Sequence, residues 1–469
     1  MKKGKKIADF EYDLLVIGTG PSGQKAAVQG AKAGKRVAIV DRRNFMGGVC
    51  VNTGTIPSKT LREAVLYLSG HREKNIYGSS YRVKDHISMA DLNFRCDYVM
   101  RNEMDVVAHQ LQRNGIRLIN GLASFLDEHT VLAHTSDGDQ KVTAENIVVS
   151  VGTTPTKRQD IPFKEDIIFT SDGLLQMKDI PRSLAVIGGG VIGIEYASIF
   201  AALGVRVTVV DMRANLLSFV DDEIVGALIY HLRQNRVTFR LGEKVTKMEL
   251  DEQGKVVTTL ESGKLIHTEK ALYAIGRTGA TAKLNLDAAG LNADHRGRLT
   301  VNENYQTEVP HIYAVGDVIG FPSLASTSME QGRLASCHAF DIPTQSMHGL
   351  FPYGIYSIPE ISTVGKTEAE LTEAGVPYEI GKAHYREISR GQIIGDQTGM
   401  LKIIFNLDTH KILGVHIIGE GASELVHIGQ AVIAFGGTLE YFINSVFNYP
   451  TLAEAYKVAA LDGFNRAHH

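Results

Sequence analysis

The sequence predicts an α/β protein with two doubly wound, Rossmann-like domains and a C-terminal α+β domain. The chain has 469 residues, enough for about three domains of ordinary size. A strand, a glycine-rich turn, a helix and a second strand follow one another over residues 12–40, and the same unit recurs over 183–211. From about residue 347 the pattern changes to strands near 402–405 and 412–419, followed by helical segments.

The repeat also predicts where the domains begin and end. Residues near 110–150 and 240–276 alternate as β-strands do, and each stretch ends in an apolar strand that is expected to return to its own sheet. The predicted helices of the last domain lie near 423–435 and 451–463. The expected domains are residues 1–155 and 281–346 for the first Rossmann-like domain, 156–280 for the second, and 347–469 for the last.

Composition excludes several classes of protein. Hydrophobic residues make up 44% and charged residues 22%, as in globular proteins. Because 49 basic residues nearly balance 52 acidic ones, nucleic acid and anionic membranes are not expected partners. No uninterrupted apolar run approaches the roughly 18 residues of a membrane helix, so we expect a cytoplasmic protein. The 3 cysteines and 17 histidines show no metal-ligand spacing, and no metal is expected.

The first repeat has the fingerprint of a dinucleotide site. Gly18, Gly20 and Gly23 stand between a strand and a helix in the pattern G-x-G-x-x-G. The first glycine permits the tight turn, the second lets the backbone approach a pyrophosphate, and the third lets the helix pack on the strand. The helix N-terminus supplies oriented N–H groups. Asp41 ends the next strand, where its carboxylate is placed to accept hydrogen bonds from a ribose.

The second repeat has the same fingerprint in Gly188, Gly190 and Gly193, with Asp211 as its acid. Two sites in one chain indicate two different dinucleotides. Asp211 should accept the 2′-hydroxyl of NAD and repel the 2′-phosphate of NADP. Arg213 either offsets this repulsion through a charge-assisted contact or faces solvent. The first alternative predicts use of both nucleotides, and the second predicts a preference for NAD(H).

The segment 47–59, Gly-Gly-Val-Cys-Val-Asn-Thr-Gly-Thr-Ile-Pro-Ser-Lys, resembles the active-site segment of the pyridine nucleotide–disulfide oxidoreductases. The resemblance covers nearly the whole chain, including the glycine motifs, Tyr313-Ala314-Val315-Gly316-Asp317 and Pro359-Glu360. It implies FAD as a cofactor, NAD(H) and NADP(H) as substrates, and a homodimer or higher homo-oligomer that assembles through the last domain. The implied cofactor-binding residues are Gly18, Gly20, Gly23, Asp41, Arg42, Gly48, Cys50, Gly152, Gly316, Asp317, Ala325, Gly188, Gly190, Gly193, Asp211, Arg213 and Gly276.

The departures from the family pattern concern its dithiol chemistry. The family has two cysteines five positions apart, but here Cys50 is followed by Thr55. A single thiol cannot form the redox disulfide that relays electrons to a substrate. Tyr449 stands where the family has its acid/base histidine, although Glu454 is retained. Two separate parts of the machinery are therefore missing, and we do not expect a disulfide reductase.

The remaining half-reaction passes hydride between a nicotinamide nucleotide and flavin. By resemblance, Lys59 lies beside the flavin and pairs with Glu195, and these residues with Glu454 are the expected catalytic residues. Segments 276–279, 320–326 and 447–451 are similar to those of family members that exchange hydride between NADPH and NAD. We therefore expect ping-pong exchange at the second glycine motif.

Three alternatives stay open at this stage. An NADH oxidase or diaphorase would pass electrons from FAD to oxygen or a quinone, and Cys50 would then be the residue to watch. A non-catalytic subunit that retains FAD is disfavoured by the presence of Lys59, Glu195 and Asp317. A nucleotide-sensing regulator has no basic patch or DNA-binding segment to support it.

Overall fold

The computed structural model describes residues 10–42, 45–345 and 349–468. The described residues form two compact units. The first takes in those within Met1–Ser58, Arg95–Thr156 and Gly276–Met347, and the second takes in those within Lys59–Phe94, Lys157–Ile275 and His348–His469. The predicted domain boundary at 346–347 lies outside the described residues, and the boundaries near 155 and 280 remain predictions. Among the described helices, none is both long and apolar enough to cross a membrane.

The helices vary from one turn to seven turns in length. In chain order they are α1 (Pro21–Lys32), α2 (Gly48–Asn52), α3 (Thr55–Leu68), α4 (Lys74–Tyr77), α5 (Met89–Arg113), α6 (Val191–Ala202), α7 (Asp222–Gln234), α8 (Ala325–Ala339), α9 (Glu368–Glu373), α10 (Ser389–Ile393), α11 (Ala422–Ala434), α12 (Leu439–Asn444) and α13 (Glu454–Ala467).

The strands are mostly short. In chain order they are β1 (Tyr12–Ile17), β2 (Val37–Asp41), β3 (Arg117–Phe125), β4 (Thr130–Thr135), β5 (Gly138–Val149), β6 (Thr153–Pro155), β7 (Ile168–Thr170), β8 (Ser183–Ile187), β9 (Arg206–Asp211), β10 (Val237–Leu241), β11 (Val245–Leu250), β12 (Val256–Leu260), β13 (Leu265–Thr268), β14 (Lys270–Tyr273), β15 (Arg277–Gly279), β16 (Ile312–Ala314), β17 (Tyr353–Ile355), β18 (Ile361–Gly365), β19 (Tyr378–His384), β20 (Met400–Asn406) and β21 (Ile412–Ile418).

In the first unit, β1 lies at the centre of a parallel sheet with strand order β3-β2-β1-β5-β16. Strand β4 joins β3 to β5 through antiparallel pairings. Leu15 and Ile17 of β1 belong to one buried cluster, while Leu14 and Val16 belong to another. Both faces of this sheet are therefore covered, which explains why residues 14–17 of β1 are all apolar rather than alternating.

The second unit contains a parallel sheet of the same layout, with the order β10-β9-β8-β14-β7. Here β8 takes the central position of β1, and both strands run directly into a glycine turn. A separate antiparallel sheet, β11-β12-β13, corresponds to the antiparallel excursion through β4 in the first unit. The two repeats detected in the sequence thus fold into two sheets of equivalent strand order.

The second unit also contains an antiparallel sheet with the order β17-β18-β21-β20-β19. Its core packs against α11 and α13 and includes the fully buried side chains of Tyr385, Phe405 and Tyr456. The two parallel sheets and this α+β portion confirm the predicted fold class. The expectation of β-structure from about residue 110 is wrong at its start, because α5 continues to Arg113 before β3 begins.

Candidate active site

The first glycine turn is built so that only one of its three glycines faces open space. Gly18 has φ +107°, and a Cβ there would lie 2.5 Å from the carbonyl oxygen of Ser150. A Cβ on Gly23 would lie 1.9 Å from the carbonyl oxygen of Gly18. A Cβ on Gly20 would meet no described atom within 4 Å. Gly18 and Gly23 therefore allow close packing, while Gly20 leaves room for a ligand.

The N-terminus of α1 has no side-chain cap. Gly20 is its N-cap residue and Pro21 occupies the first helical position, so neither provides a capping oxygen. By contrast, Asp221 caps α7 through its carboxylate. The amide groups of the first turn of α1 are therefore available to an anion, as a dinucleotide pyrophosphate requires. This arrangement fits FAD.

Among the described residues, the donors to Asp41 are the uncharged groups of Thr19 and the backbone of Arg42. Its Oδ2 accepts the backbone N–H of Thr19 at 2.6 Å as well as the Thr19 hydroxyl, and its Oδ1 accepts the N–H of Arg42 at 2.7 Å. Burial raises the pKa of Asp41, and the hydrogen bonds from Thr19 only partly offset that rise. The Arg42 guanidinium lies over the ring of Phe45, 3.9 Å from its centroid.

Thr19 was not identified from the sequence. Its hydroxyl donates to Asp41 and accepts the N–H of Gly47 at 3.0 Å, so it connects the acid of the repeat to the start of α2. Gly48 has φ +62°, and a Cβ there would lie 2.9 Å from the Cα of Gly20. The N-terminus of α2, which carries Cys50, therefore packs directly against the glycine turn.

The cysteines differ in their surroundings. None of the three is in a disulfide, and Cys50 is only partly buried. Burial raises the pKa of the Cys96 thiol to about 12 and raises that of Cys337 as well. These two thiols therefore stay protonated at neutral pH, as expected for packed cysteines.

The Gly-Asp turn also lies against α1. Gly316 has φ +78°, and a Cβ there would lie 2.7 Å from Ser22 Oγ. Its N–H donates to Gln331 Oε1 at 2.9 Å, a contact that the sequence does not reveal. Burial raises the pKa of Asp317, partly opposed by the charge of Arg277.

Other predicted residues of this site occupy the same unit. Gly152 has φ +64°, and a Cβ there would meet no described atom within 4 Å. Ala325 is the first residue of α8. Gly276 has φ +138°, and its carbonyl accepts the N–H of Thr156 at 3.0 Å. Although Gly276 follows the second repeat in the sequence, it belongs to the first unit.

The second glycine turn repeats the geometry of the first. Gly188 has φ +111°, and a Cβ there would lie 2.3 Å from the carbonyl oxygen of Ala274. A Cβ on Gly193 would lie 1.9 Å from the carbonyl oxygen of Gly188, whereas one on Gly190 would meet nothing within 4 Å of the described atoms. Gly190 is the N-cap of α6 and supplies no side-chain cap. This helix start likewise suits a pyrophosphate.

Asp211 differs from Asp41 in having a charged partner. Arg213 donates through Nε to Oδ1 at 3.0 Å and through Nη2 to Oδ2 at 2.8 Å, and its own N–H bonds Oδ1 at 2.8 Å. Gly189 donates its N–H to Oδ2 at 2.6 Å. Burial by itself raises the pKa of Asp211, but these bonds outweigh it and leave the pKa below its ordinary value of 3.8. The Arg213 side chain is 53% exposed, against 4% for Asp211.

Lys59 and Glu195 come together in the second unit. The Lys59 ammonium lies 2.9 Å from Oε1 and 2.8 Å from Oε2 of Glu195. Glu195 Oε1 also accepts the backbone N–H of Tyr356 at 2.8 Å. The ammonium lies 4.9 Å from the centroid of the Tyr356 ring. Nothing in the sequence indicates Tyr356, because this contact depends on the tertiary fold.

Glu454 is not joined to this pair by any described hydrogen bond or ion pair. It is the first residue of α13, and its Oε2 is buried with no partner among the described residues. The Tyr449 side chain is 72% exposed, and its hydroxyl lies 2.6 Å from Ser389 Oγ.

One cluster of carboxylates elsewhere in the second unit has the spacing of metal ligands. Asp221, Glu223 and Glu368 offer oxygens within 4.8 Å of one another. The ammonium of Lys402, a fully buried side chain, contacts all three. A protein cation therefore already occupies this cluster, and Lys382 supplies a second one to Glu223, which accounts for the cluster as a structural ion-pair network.

Comparison with known proteins agrees with this geometry. Residues 12–332 match the model of the pyridine nucleotide-disulphide oxidoreductase family, and residues 351–460 match that of its dimerisation domain. The chain is 56% identical to a soluble pyridine nucleotide transhydrogenase of Mycobacterium bovis, covering 97% of this chain and 98% of the relative. It is 45% identical to a protein of the same name from Colwellia psychrerythraea, covering 97% and 99%.

A solved structure supports the same grouping. The HOCl-induced flavoprotein disulfide reductase RclA from Escherichia coli superimposes with a TM-score of 0.87 at 27% identity, covering 96% of this chain and 99% of that one. The family uses FAD and NAD(P)H, in agreement with the two glycine turns and their acids. With both family domains matched and close relatives along nearly its whole length, this chain belongs to the pyridine nucleotide-disulphide oxidoreductase family.

Proposed function

We propose that this protein is an FAD-dependent, Si-specific pyridine nucleotide transhydrogenase. It transfers hydride from NADPH to NAD⁺, giving NADP⁺ and NADH, or runs in the opposite direction, with both nucleotides using the second glycine turn in succession. The names of relatives at 45% and 56% identity support this activity.

The observation that carries the proposal is the pair formed by Asp211 and Arg213. A carboxylate at the end of the second strand favours the 2′-hydroxyl of NAD and repels the 2′-phosphate of NADP. The two-pronged contact from Arg213 removes most of that repulsion. Because the guanidinium is about half exposed, it can turn toward a 2′-phosphate while Asp211 keeps its bond from Gly189. One site can then accept either nucleotide.

Each remaining group has a defined task in this proposal. When FAD is bound, its flavin would supply the hydride-accepting and hydride-donating chemistry of the exchange. The uncapped starts of α1 and α6 bind the two pyrophosphates. Glu195 pairs with the Lys59 ammonium, and the positive charge of Lys59 would favour a flavin that gains negative charge on reduction. Gly18, Gly20, Gly23, Asp41, Gly48, Gly316 and Asp317 would hold FAD.

No redox disulfide takes part in the proposed reaction. Thr55 has no thiol to pair with Cys50, and Tyr449 cannot act as the histidine acid/base of the family. Hydride exchange between two nicotinamides needs no proton from a second substrate, so these losses leave the proposed reaction intact. In the proposed dimer, the segment that contains Tyr449 and Glu454 would lie at the interface, and Glu454 would be its retained catalytic residue.

The proposed assembly is a homodimer formed through the last domain. Phe435 and Val446 expose 92% and 94% of their surfaces, and Ile393 exposes 54%. An interface between two copies of the chain would remove such side chains from water. They lie within the span that matches the dimerisation domain.

The proposal is tested with the purified holoenzyme under anaerobic conditions. NADPH is the donor and thio-NAD the acceptor, followed at the thionicotinamide absorbance, while lipoamide and oxidised glutathione are tried in parallel reactions. We expect rapid reduction of thio-NAD and no turnover of either disulfide. If NADPH bleaches the flavin and thio-NAD does not restore its colour, the proposal is wrong, and oxygen and quinones become the acceptors to test. If only NADH bleaches it, Asp211 rather than Arg213 sets the specificity.

A further inference from the structure

The segment between β17 and β18 is bonded to two helices at successive residues. Besides the bond from Tyr356 to Glu195 of α6, Ile358 donates its N–H to Ser198 Oγ of the same helix at 3.0 Å. The carbonyl of Ser357 accepts from Nε of Arg62, a residue of α3, at 3.0 Å. Since Lys59 also belongs to α3, the same segment is fixed to both helices that carry the Lys59–Glu195 ion pair.

The ion pair alone leaves Lys59 considerable freedom. Its side chain is 26% exposed, against 4% for Glu195. A lysine has four rotatable bonds and a compact, strongly hydrated charge, so a partly exposed ammonium readily exchanges a carboxylate for water. Glu195 is better fixed, because the backbone N–H of Tyr356 holds Oε1. A second contact to the ammonium would restrict it further.

The Tyr356 ring has the geometry to do this. An ammonium within about 6 Å of an aromatic centroid is attracted by the ring, and here the separation is 4.9 Å. The Tyr356 hydroxyl makes no hydrogen bond with any described residue, so the ring and the backbone N–H are the parts of this residue that contact the ion pair.

We propose that Tyr356 is a positioning residue, whose ring face fixes the Lys59 ammonium against Glu195 and thereby sets the charge that assists reduction of the flavin. This inference rests on the proposed function only through the role of Lys59 in the flavin–nicotinamide half-reaction. It assigns the ring, not the hydroxyl, as the functional part of Tyr356.

The test uses the holoenzyme and ends before any acceptor is added, so it does not depend on whether thio-NAD is reduced. The anaerobic rate of flavin reduction by NADH, the dissociation constant of NADH and the midpoint potential of the flavin are measured for wild type, Y356F, Y356L, Y356M, K59M and K59M/Y356L. Y356M keeps a long apolar side chain without a ring and serves if Y356L does not fold. FAD content and melting temperature are recorded for every variant.

We expect Y356F to behave as wild type. Y356L or Y356M should slow flavin reduction about 3- to 10-fold, as expected for loss of one partly buried cation–π contact, with the dissociation constant unchanged. The midpoint potential of the flavin in Y356L or Y356M should shift in the same direction as it does in K59M, but by a smaller amount. In the K59M background, Y356L should add nothing, because a residue that acts through Lys59 has no effect without it.

Three outcomes would overturn the inference. Wild-type rate and potential in a folded Y356L or Y356M would show that the ring does not position Lys59. If Y356L slowed flavin reduction as much in the K59M background as in wild type, Tyr356 would not act through Lys59. A Y356F variant as slow as Y356L would assign the effect to the hydroxyl instead.

Discussion

The two glycine-rich repeats have equivalent sheets and turns, yet their terminal acids have opposite surroundings. Asp41 accepts bonds from Thr19 and a backbone amide, and burial raises its pKa. Asp211 accepts two bonds from the guanidinium of Arg213, and its pKa is lowered. Among the described residues, the two acids therefore differ in burial and in whether a guanidinium contacts the carboxylate.

In the proposed function, the first repeat would hold a permanent cofactor and the second an exchangeable substrate, and this difference between the acids would serve those two roles. In the proposed function, the Asp41 carboxylate would accept hydrogen bonds from hydroxyl groups, as suits a single cofactor with an unsubstituted ribose. In the proposed function, the half-exposed Arg213 side chain would give the second site two states, one for each nucleotide. The predictions below test this contrast.

The largest effects are expected from paired substitutions of the packing glycines. In Gly23→Ala and Gly193→Ala the new Cβ would lie 1.9 Å from a carbonyl oxygen, so each turn must distort. Gly23→Ala should be purified without FAD. Gly193→Ala should retain FAD, with flavin reduction by either nucleotide at least about 100-fold slower, the loss expected from misplacing bound nucleotide by about 1 Å.

The matched control for these variants is Gly226→Ala in α7, where a Cβ meets no described atom within 4 Å. It should keep FAD and wild-type rates, with unchanged or slightly increased stability. If Gly193→Ala lost FAD while Gly23→Ala kept it, the assignment of the two turns would be reversed.

A smaller effect is expected from Asp211→Asn. The amide still accepts the bond from Gly189 but no longer attracts a ribose hydroxyl as strongly as a carboxylate does. Binding of NADH should weaken about 10-fold, as for loss of one charge-assisted hydrogen bond, while binding of NADPH changes less because a repulsive charge is removed. Nucleotide titrations of the flavin absorbance measure both. Equal losses for the two nucleotides would contradict the assigned role.

The two acids should also differ in their contribution to stability as pH falls. The folded-state pKa of Asp211 is lowered, so its contribution is complete above the unfolded value near 3.8 and is lost as pH falls through the folded-state pKa. The pKa of Asp41 is raised, so its ionised form opposes folding and protonation relieves that cost. Urea midpoints should show Asp211→Asn less stable than wild type at pH 5 to 7, with the gap closing below about pH 4. Asp41→Asn should not show a loss of stability relative to wild type that disappears at low pH. Such a pH-dependent loss would contradict the difference proposed between Asp41 and Asp211.

The smallest effect is expected at Thr19. Thr19→Val removes the hydroxyl that connects Asp41 to Gly47 but keeps the side-chain shape, and should cost about 1–2 kcal/mol in stability or FAD binding. Thr19→Ser, which keeps the hydroxyl, should retain most of the wild-type FAD affinity. Fluorescence of released FAD during thermal unfolding measures both. If Val and Ser variants lost affinity equally, the methyl packing of Thr19, rather than its hydroxyl, would be what matters.

Much of the fold could be predicted because its signals are local. The bounds of β1 agree with the prediction at both ends, since an apolar run and a glycine turn define it in the sequence. The 25-residue helix α5 was not predicted, because it lies outside the repeats and is largely polar.

In the candidate site, too, the residues with local signals could be predicted and those with long-range contacts could not. Gly18, Gly23, Gly188 and Gly193 were recognised by spacing, since the turn itself requires them. Thr19 and Tyr356 were missed, because their contacts join residues 22 to 297 positions apart and depend on the tertiary fold. The sequence indicates Arg213 as a neighbour of Asp211, but whether it faces solvent or Asp211 depends on a side-chain conformation that spacing does not specify.

The most direct test of the contrast between the repeats is rapid-mixing measurement of anaerobic flavin reduction by NADPH and by NADH in wild type and Arg213→Ala. Arg213→Lys keeps the charge without the planar fork and serves as the matched control. We expect Arg213→Ala to weaken NADPH binding by about 10- to 100-fold, the range for one lost charge-assisted contact plus the unmasked carboxylate, with little change for NADH. Equal behaviour of NADPH in wild type and Arg213→Ala would contradict the claim that this side chain lets one site accept both nucleotides.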